Sequence, residues 1–416
     1  MNNQLCQKYA KALLKIGVNL QKGETVLLQT CTEGLQLATE VTKQAFEMGA
    51  KDVVVHIEDA QINHLRALHC DEETLREVPK WKLESIDSVL KTGNAVQIGI
   101  MSSYPTLNND VETSKLLAQG FSSNEVRNVV RKYIHAGTLK WVGTVCPSLN
   151  WAKQLYPELS DEDAYQKLEN ELCYMMRVDE DTDPVDNWHQ HCAEMAKISK
   201  KLNEYNFKSL HITSELGTDI TMDLVKNHIW TSAADMGSSK VNAPYVANMP
   251  TEEIFTDPDY RTVNGIAVAS FPLMMSGKLV KDFSITFKDG KAIDCSASEN
   301  VECLKDALFR DEFTRQLGEV ALVSKQSPIK QLNRIFFNGL IDENAASHLA
   351  FGTSFPSNIK NGSDMSKEEL LASGVNVASS HTDFMIGTPE FKVVGITYSG
   401  EEVVIMEHGD FVLEEC

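Results

Sequence analysis

The sequence lacks the features of a membrane protein or a nucleic-acid-binding protein. It has no apolar run that approaches the length of a membrane span, and 39 Lys and Arg face 59 Asp and Glu, for a formal net charge of -20. A surface this acidic repels phosphate backbones and anionic lipids. We therefore expect no nucleic-acid partner and no membrane partner.

Cysteine is present but follows no pattern. The nine cysteines are an odd number and contain no Cys-x-x-Cys pair, so the sequence predicts neither a zinc ribbon nor a disulfide framework. The N-terminus shows no basic stretch followed by an apolar one, as a secretion signal would. These features are typical of reduced thiols in the cytoplasm, and we expect a cytoplasmic protein.

Common catalytic signatures are also missing. The sequence contains neither His-Glu-x-x-His nor Gly-x-Ser-x-Gly. It lacks Gly-x-Gly-x-x-Gly and the P-loop pattern, which cradle phosphates in nucleotide-binding folds. A nucleotide-dependent α/β enzyme is therefore an alternative that requires a phosphate cradle of another kind.

Strands and helices alternate over the N-terminal part of the chain. Apolar, β-branched runs predict strands, and amphipathic stretches predict helices. The predicted strands are Thr25–Gln29, Asp52–Ile57, Ala95–Met101 and Leu139–Val145, and the predicted helices are 4–17, Glu33–Met48, 72–92 and 111–132. This alternation predicts an α/β N-terminal domain, residues 1–155, with a mostly parallel sheet and helices on both faces.

The pattern changes in the remainder of the chain. Two predicted helices, 160–178 and 184–204, precede a region of short strands and turns. Asp289-Gly290 and Ser399-Gly400 each separate two strand-like runs, as the turn of a hairpin does. We predict an α+β C-terminal domain, residues 156–416, with antiparallel pairing and catalytic and dimerisation roles.

Four segments of this C-terminal half gather acidic and histidine side chains that can bind metal ions. They are 248–258, 316–320, 342–350 and 379–387. Taken alone, Glu253 of the first segment lies in a loop between prolines and reads as a solvated acid. Glu319 of the second adjoins an apolar run, so it must pair, protonate or coordinate if it is buried, although a capping or solvated role is the default for one residue.

The histidines have alternatives of the same kind. His348 falls in a predicted helix that Asp342 can cap, and a single helical histidine is more often structural than a ligand. His381 and Asp383 are two positions apart, so on an extended segment both point to the same side, as two ligands of one ion can. The residues by themselves leave a metal site and a structural role both open.

These four segments, in this order, resemble the thermophilic-type metallo-aminopeptidase family, the group that contains aminopeptidase T and PepS, and three of them are the most specific. The likeness is carried by Asn-x-Pro-x-x-Glu-x-Phe-Thr from Asn248, Asp-Glu-Asn-x-Ala-x-His from Asp342 and His-x-Asp-x-Met-Ile-Gly from His381. It extends over nearly the whole chain. The resemblance implies a metal site with five ligands, which are Glu253, Glu319, His348, His381 and Asp383.

The resemblance also implies an activity. It predicts a metal-dependent aminopeptidase that removes N-terminal residues from short peptides with a free N-terminus, using water activated by two divalent metal ions. Nitrogen and oxygen ligation allows zinc, cobalt or manganese, and the family is also associated with magnesium. Glu319 is a candidate for a catalytic proton shuttle as well as a ligand. The family forms homodimers through its C-terminal domains, so we expect a homodimer.

One position departs from the family pattern. The family has a catalytic tyrosine seven residues after the histidine that matches His348, and this chain has Phe355 there. Phe355 has no hydroxyl to stabilise an oxyanion, and losing one such donor typically lowers turnover about 10²–10³-fold. The alternative is therefore a catalytically weakened, metal-binding dimer that binds peptides. Tyr260 and Tyr398 are other possible sources of a hydroxyl.

Overall fold

A computed structural model of the chain describes residues 3–232, 241, 243–275 and 278–413. The described residues form two compact units. The first takes those within Met1–Cys192 and Ala234–Pro250, and the second takes those within Ala193–Ala233 and Thr251–Cys416. The assignment of domains to 1–155 and 156–416 stays a prediction.

The first unit contains a four-stranded parallel sheet. Its strands are β1 (Thr25–Cys31), β2 (Asp52–Glu58), β3 (Ala95–Met101) and β4 (Lys140–Val145). They lie in the order β2-β1-β3-β4, and every neighbouring pair is parallel. The predicted α/β architecture is confirmed, and each predicted strand is present within one or two residues of its expected ends.

Helices precede, separate and follow these four strands along the chain. They are α1 (Asn3–Ala12), α2 (Leu35–Glu47), α3 (Ala60–His69), α4 (Glu72–Arg76), α5 (Lys80–Leu90), α6 (Thr113–His135), α7 (Leu149–Leu155), α8 (Asp161–Met175) and α9 (Pro184–Tyr205). The predicted single helix 72–92 is wrong, because Pro79 separates α4 from α5. The residue before a proline is driven out of helical conformation, which accounts for the break.

The two faces of the parallel sheet are covered by different helices. Val26 of β1 belongs to one apolar cluster with Val41 of α2. Leu27, the next residue along β1, faces the other way and clusters with Ile86 of α5 and Val130 of α6. Burying each such side chain contributes about 1.5–3 kcal/mol, so the alternation along β1 fixes helices on both faces.

The second unit is built mainly from antiparallel strands. They are β5 (Ser209–Thr213), β6 (Asp219–Asp223), β7 (Thr231–Ser232), β8 (Glu253–Thr256), β9 (Asn264–Val268), β10 (Leu273–Met275), β11 (Lys278–Val280), β12 (Ser284–Lys288), β13 (Lys291–Ser296), β14 (Leu317–Val323), β15 (His348–Gly352), β16 (His381–Met385), β17 (Lys392–Ile396), β18 (Glu402–Glu407) and β19 (Asp410–Phe411). Its shorter helices are α10 (Val301–Leu308), α11 (Pro328–Gln331), α12 (Gly339–Asp342) and α13 (Lys367–Ser373).

These strands form two principal sheets. An eight-stranded sheet has the order β13-β12-β9-β6-β5-β17-β18-β19, and a five-stranded sheet has the order β16-β15-β14-β8-β7. β10 and β11 pair separately. Both predicted hairpins are confirmed: β12 pairs with β13 and β17 with β18. Asp289 and Gly290 take φ values of 48° and 79°, the left-handed conformation that a tight turn requires.

The two sheets of the second unit share one apolar core. Ile285 and Val393 contribute from the eight-stranded sheet, and Val320, Leu349 and Phe384 contribute from the five-stranded sheet. The core therefore occupies one face of the five-stranded sheet and leaves its other face for polar side chains. Among the described residues, no helix combines the length and apolar character needed to cross a membrane.

Candidate metal centre

Five ionisable side chains share the polar face of the five-stranded sheet. They are Glu253 on β8, Glu319 on β14, His348 on β15, and His381 and Asp383 on β16. Directly paired residues of antiparallel strands lie on the same face, as do residues two apart on one strand. Glu319 pairs with Ala350, which pairs with Asp383. These four neighbouring strands therefore bring residues 130 positions apart in sequence to one surface.

The small size of the intervening residues leaves room for the ionisable groups. Ala350 lies between Glu319 and Asp383 in the register, and Ala321 lies beside His348. Both alanines are almost completely buried. Longer side chains at these two positions would occupy the space in which the five polar groups converge.

Glu319 is the centre of the arrangement. Its Oε1 lies 3.4 Å from Nε2 of His348, and its Oε2 lies 3.3 Å from Nε2 of His381. Glu253 Oε2 approaches the His348 nitrogen to 3.1 Å, and Asp383 Oδ1 approaches the His381 nitrogen to 3.1 Å. The donor atoms thus form two groups, Glu253-Glu319-His348 and Glu319-His381-Asp383, each with its atoms within 4.8 Å of one another.

Backbone carbonyls orient both imidazoles. Nδ1 of His348 is 3.1 Å from the carbonyl oxygen of Ala346, and Nδ1 of His381 is 2.6 Å from that of Thr353. A carbonyl only accepts hydrogen bonds, so each Nδ1 carries a proton and donates it. Nε2 therefore faces the carboxylates, and when the imidazole is neutral the Nε2 lone pair is free to bind a metal ion.

The burial of the group controls its electrostatics. Burial alone would lower the pKa of both histidines, but the adjacent carboxylates outweigh it and raise the pKa of His348 and of His381 well above the ordinary 6.5. Burial raises the pKa of Glu253, whereas the two imidazoles overcome burial and lower the pKa of Glu319. Positive charge is thus strongly favoured here, whether protons or metal cations supply it.

The donor chemistry fits divalent metal ions. Three carboxylates and two imidazoles supply nitrogen and oxygen donors, and no thiolate belongs to either group. The side chains of Glu253, Glu319 and His348 are less than a tenth exposed, whereas those of His381 and Asp383 are about a fifth exposed. The group is therefore held by buried residues on one side and reaches solvent on the other, as a site for a substrate must.

Glu343 is a further carboxylate that the sequence analysis did not select. Burial, together with Asp383 and Glu253, raises its pKa well above the ordinary value. Its neighbour Asn344 is fully buried and accepts a hydrogen bond of 2.7 Å from the backbone N–H of Glu252. Glu343 lies within the same motif as His348, so the motif contained the signal, but one residue of a predicted helix gave no direction for its side chain.

Phe355 packs against the ionisable group. Its ring centroid is 5.1 Å from that of His381 and 5.6 Å from that of Phe255, both in edge contact. Its backbone N–H donates to Asp257 Oδ1 at 3.3 Å, and burial raises the pKa of the fully buried Asp257 well above its ordinary value. The phenylalanine thus occupies the wall of the site on the side of His381.

The two tyrosines considered as alternative hydroxyl donors lie in other surroundings. Tyr398 is 56% exposed in the turn after β17. The ring of Tyr260 contacts the ring of Phe313 and the guanidinium group of Arg261. Among the described contacts, neither hydroxyl reaches the five ionisable side chains.

Two local predictions about this region are wrong. His348 begins strand β15 and does not lie in a helix, because the short helix α12 ends at Asp342 and a single helical turn, Glu343–Ala345, follows it. Asp342 accepts hydrogen bonds from the backbone N–H groups of Phe336 and Asn338, and it is Asn338 that caps α12. Glu253 is the first residue of β8 and only 7% exposed, so it is not a solvated loop acid.

Comparisons with known proteins identify the family of the chain. The model of the thermophilic metalloprotease (M29) family matches residues 2–411. The chain is 36% identical over 408 residues to aminopeptidase PepS of Streptococcus thermophilus, and 98% of each chain is covered. It is 34% identical over 409 residues to aminopeptidase AmpS of Bacillus subtilis, again with 98% of each chain covered.

A solved structure has the same fold. Wild-type AmpT from Thermus thermophilus matches with a TM-score of 0.91 and 28% identity, over 99% of this chain and 100% of that chain. The parallel sheet of the first unit and the antiparallel sheets of the second are therefore the architecture of that protein as well. The chain belongs to the thermophilic metalloprotease (M29) family, as its motifs predict, and it is a peptidase that depends on divalent metal.

Proposed function

We propose that this peptidase removes the N-terminal residue of short, unblocked peptides at a centre of two divalent metal ions. The observation that carries the proposal is the position of Glu319, whose two carboxylate oxygens each face a different imidazole. A carboxylate in this position suits a bridge between two ions. Glu253 and His348 would complete the protein ligands of one ion, and His381 and Asp383 those of the other.

Four metals suit these ligands. Mixed nitrogen and oxygen ligation favours zinc, cobalt or manganese, and the three carboxylates leave magnesium as a further candidate. When bound, such ions acidify water and polarise the carbonyl of the scissile bond.

Glu343 fits the role of proton shuttle. Burial, together with Asp383 and Glu253, raises the pKa of its carboxyl well above the ordinary value, so it binds a proton more readily than an ordinary glutamate does. It would take the proton from the attacking water and pass it to the leaving amine. Glu319 is the other candidate for the shuttle, but a carboxylate with both oxygens facing imidazoles suits a ligand better.

Specificity for a free N-terminus would come from a group that anchors the α-amine. The site contains four carboxylates, Glu253, Glu319, Glu343 and Asp383. A carboxylate or a bound metal ion can hold a free α-amine, which an acetylated N-terminus does not offer. The names of PepS and AmpS as aminopeptidases support this choice of substrate.

Phe355 favours a second candidate function. Its ring takes up the wall beside His381 and offers no hydroxyl to a developing oxyanion. A weakened enzyme that binds metal and peptides as a dimer would have the same residues. We favour retained activity because all five ligand types are present, with the oxyanion stabilised by other means.

We also propose that the protein is a homodimer and that it is cytoplasmic. Both come from resemblance and composition, and size-exclusion chromatography with light scattering measures the first directly.

Hydrolysis of a matched pair of peptides tests the proposal. The full chain, supplied in turn with zinc, cobalt, manganese and magnesium, is given a tetrapeptide with a free N-terminus and its N-acetylated form. We expect release of the N-terminal residue from the free peptide alone, loss of activity with a chelator, and recovery when metal is restored. Elemental analysis should find two ions per chain.

Two outcomes would contradict separate parts of the proposal. Equal cleavage of acetylated and free peptides would exclude an aminopeptidase, and one ion per fully active chain would exclude the dinuclear centre. His348→Ala should abolish turnover, whereas the control His211→Ala should not. His211 lies on β5 of the eight-stranded sheet, where it pairs with the exposed Asp219.

A further inference from the structure

A second group of reactive side chains lies in the first unit, at the carboxyl ends of its parallel strands. Cys31 is the last residue of β1, and Cys146 immediately follows β4. In the strand order β2-β1-β3-β4, the chain passes from β1 to β2 on one side and then crosses to β3 on the other side of β1. The carboxyl ends of β1 and β3 therefore form the topological switch point of the sheet. Crevices at such switch points are where open α/β sheets place their functional groups.

The two sulfur atoms are in contact. Sγ of Cys31 lies 3.5 Å from Sγ of Cys146, although 115 positions separate the residues in sequence. Cys31 is half-buried, whereas Cys146 is only 2% exposed.

Close backbone packing holds the two thiols together. Gly34 lies against them, and a Cβ atom there would come within 2.5 Å of Thr30 Oγ1 and 3.4 Å of Cys146 Sγ. Only glycine allows the chain this approach, because any side chain would displace its neighbours. The thiols therefore have little freedom to move apart while the chain stays folded.

The two thiols differ in acidity. The Cys146 thiol, which faces the Cys31 sulfur, lowers the pKa of Cys31 against the opposing effect of burial. The same contact, together with burial, raises the pKa of Cys146 well above its ordinary value. Cys31 is thus both the more acidic and the more accessible thiol, as a cysteine that reacts first with an oxidant must be.

We propose that Cys31 and Cys146 form a modification site at which a low-molecular-weight disulfide is the oxidant and an intramolecular disulfide is the product. The Cys31 thiolate attacks one sulfur of the oxidant RSSR, and the S–S bond of RSSR breaks to release one RS⁻. The Cys146 thiolate then attacks the Cys31 sulfur of the mixed disulfide and releases the second RS⁻. Two electrons pass to RSSR, and the two protons lost by the cysteines end on two molecules of RSH.

The geometry requires only a small movement. The sulfurs must close from 3.5 Å to the bonded distance of about 2.05 Å. The bond would close a long loop within the first unit and so restrict its unfolded state, which stabilises the folded one. This inference is independent of the metal centre, whose donor groups contain no cysteine.

Peptide mapping of the full chain tests the proposal. The reduced protein is incubated with excess oxidised glutathione, alkylated and digested with trypsin. Cys31 and Cys146 fall in separate peptides, 23–43 and 141–153, and each peptide contains one cysteine. We expect these two peptides to be joined, the protein mass to fall by two hydrogens, and the thermal midpoint to rise by a few degrees and return with dithiothreitol.

Variants identify the bond. Cys31→Ser and Cys146→Ser should each eliminate the joined peptides and the thermal shift, whereas Cys70→Ser, at another half-buried cysteine, should leave both unchanged. The proposal is overturned if the wild-type chain shows stable glutathione adducts or unmodified thiols at both positions after prolonged oxidation. Because the wild-type measurement needs no substitution, misfolding of a variant would not obscure this result.

Discussion

Ala350 pairs directly with Glu319 across β14 and β15, and its methyl group lies on the same face of the sheet as the Glu319 carboxylate. On its other side it pairs with Asp383 of β16. The longer side chains therefore converge above an alanine that is itself fully buried. We expect Ala350→Leu to fill this space and abolish both metal binding and turnover, with an overpacking cost of about 1–3 kcal/mol in unfolding free energy.

A control substitution on the opposite face of β15 distinguishes loss of metal binding from loss of folding stability. Leu349 precedes Ala350 on β15 and belongs to the apolar core. Leu349→Ala should lower the free energy of unfolding by about 2–5 kcal/mol yet leave the bound metal unchanged. Elemental analysis and urea unfolding of both variants measure the two effects, and full metal content in Ala350→Leu would show that the methyl group does not border the site.

Substitution of single carboxylates distinguishes a shared ligand from an unshared one. Glu253 belongs to one donor group, whereas Glu319 belongs to both. We expect Glu253→Gln to reduce the bound metal from two ions per chain to one, and Glu319→Gln to impair both. Both variants should lose turnover, because the proposed mechanism uses the two ions together to activate water and to hold the substrate.

Isothermal titration of the metal-free variants measures these stoichiometries. Glu402→Gln, at an exposed position on β18 of the other sheet, is the matched control and should bind as the wild type does. Two tightly bound ions in Glu319→Gln would contradict a bridging role for this carboxylate.

The raised pKa values of the two histidines predict how pH affects the metal-free protein. His348 and His381 have pKa values well above the ordinary 6.5, so their charged forms are favoured by folding. This contribution to stability is complete below pH 6.5 and is lost as pH rises through the folded-state pKa values. In a chelator, we therefore expect the free energy of unfolding to fall on the alkaline side of pH 6.5.

Metal ions should remove this dependence, because they replace the bound protons as the source of positive charge. Their affinity should consequently weaken as pH falls. Urea unfolding at several pH values, with chelator and with metal, tests both statements. The double variant His348→Ala/His381→Ala should lose this alkaline fall, and a metal-free wild type that became more stable over the same range would contradict the assignment.

The fold was largely predictable from sequence where the period of apolar residues is clear. Val26 and Leu27 alternate between two helical layers, and the Asp289-Gly290 turn has the conformation that its residues favour. Pro79 was visible in the sequence, but the apolar pattern continued across it and suggested one helix. Local steric restriction prevailed over periodicity at that point.

The site was predictable only in part. Spacing on one strand predicts that His381 and Asp383 point to the same side, and in the structure Nε2 of His381 lies 3.1 Å from Oδ1 of Asp383. The proximity of Glu319 to His348 depends on strand pairing, which no local pattern specifies, and only family resemblance grouped them. His348 was misjudged because a capped, helix-like segment precedes it, whereas burial in the sheet decides its conformation.

Phe355 has no hydroxyl where the resemblance implies a tyrosine. Adding a hydroxyl at this position tests whether its absence limits turnover. The Phe355 ring is in edge contact with His381, so Phe355→Tyr adds an oxygen at the wall of the site. We expect turnover to rise by up to about 10²–10³-fold, the effect of one oxyanion donor. Phe255→Tyr, which modifies the neighbouring ring, should give no comparable gain. Substantial wild-type turnover that Phe355→Tyr leaves unchanged would show that another group already stabilises the oxyanion.

Asn344 should position Glu253 without contacting metal or substrate. Its Oδ1 accepts the backbone N–H of Glu252 at 2.7 Å, and its Nδ2 donates to the carbonyl of Leu340 at 3.0 Å. Asn344→Ala removes both hydrogen bonds, and loss of the buried one from Glu252 should cost about 1–3 kcal/mol. Because Glu253 is the next residue, we also expect metal affinity to fall about 10–100-fold, as for other groups that support ligands.

Metal affinity distinguishes a role of Asn344 in positioning Glu253 from a role in fold stability alone. Asn203 makes an equivalent pair of hydrogen bonds, to both backbone groups of Trp230, away from the five ionisable side chains. Asn203 is exposed, so Asn203→Ala should destabilise the chain less than Asn344→Ala does, and it should leave metal affinity unchanged. If both variants bind metal with wild-type affinity, the hydrogen bond from Glu252 to Asn344 stabilises the fold but does not set the position of the Glu253 carboxylate.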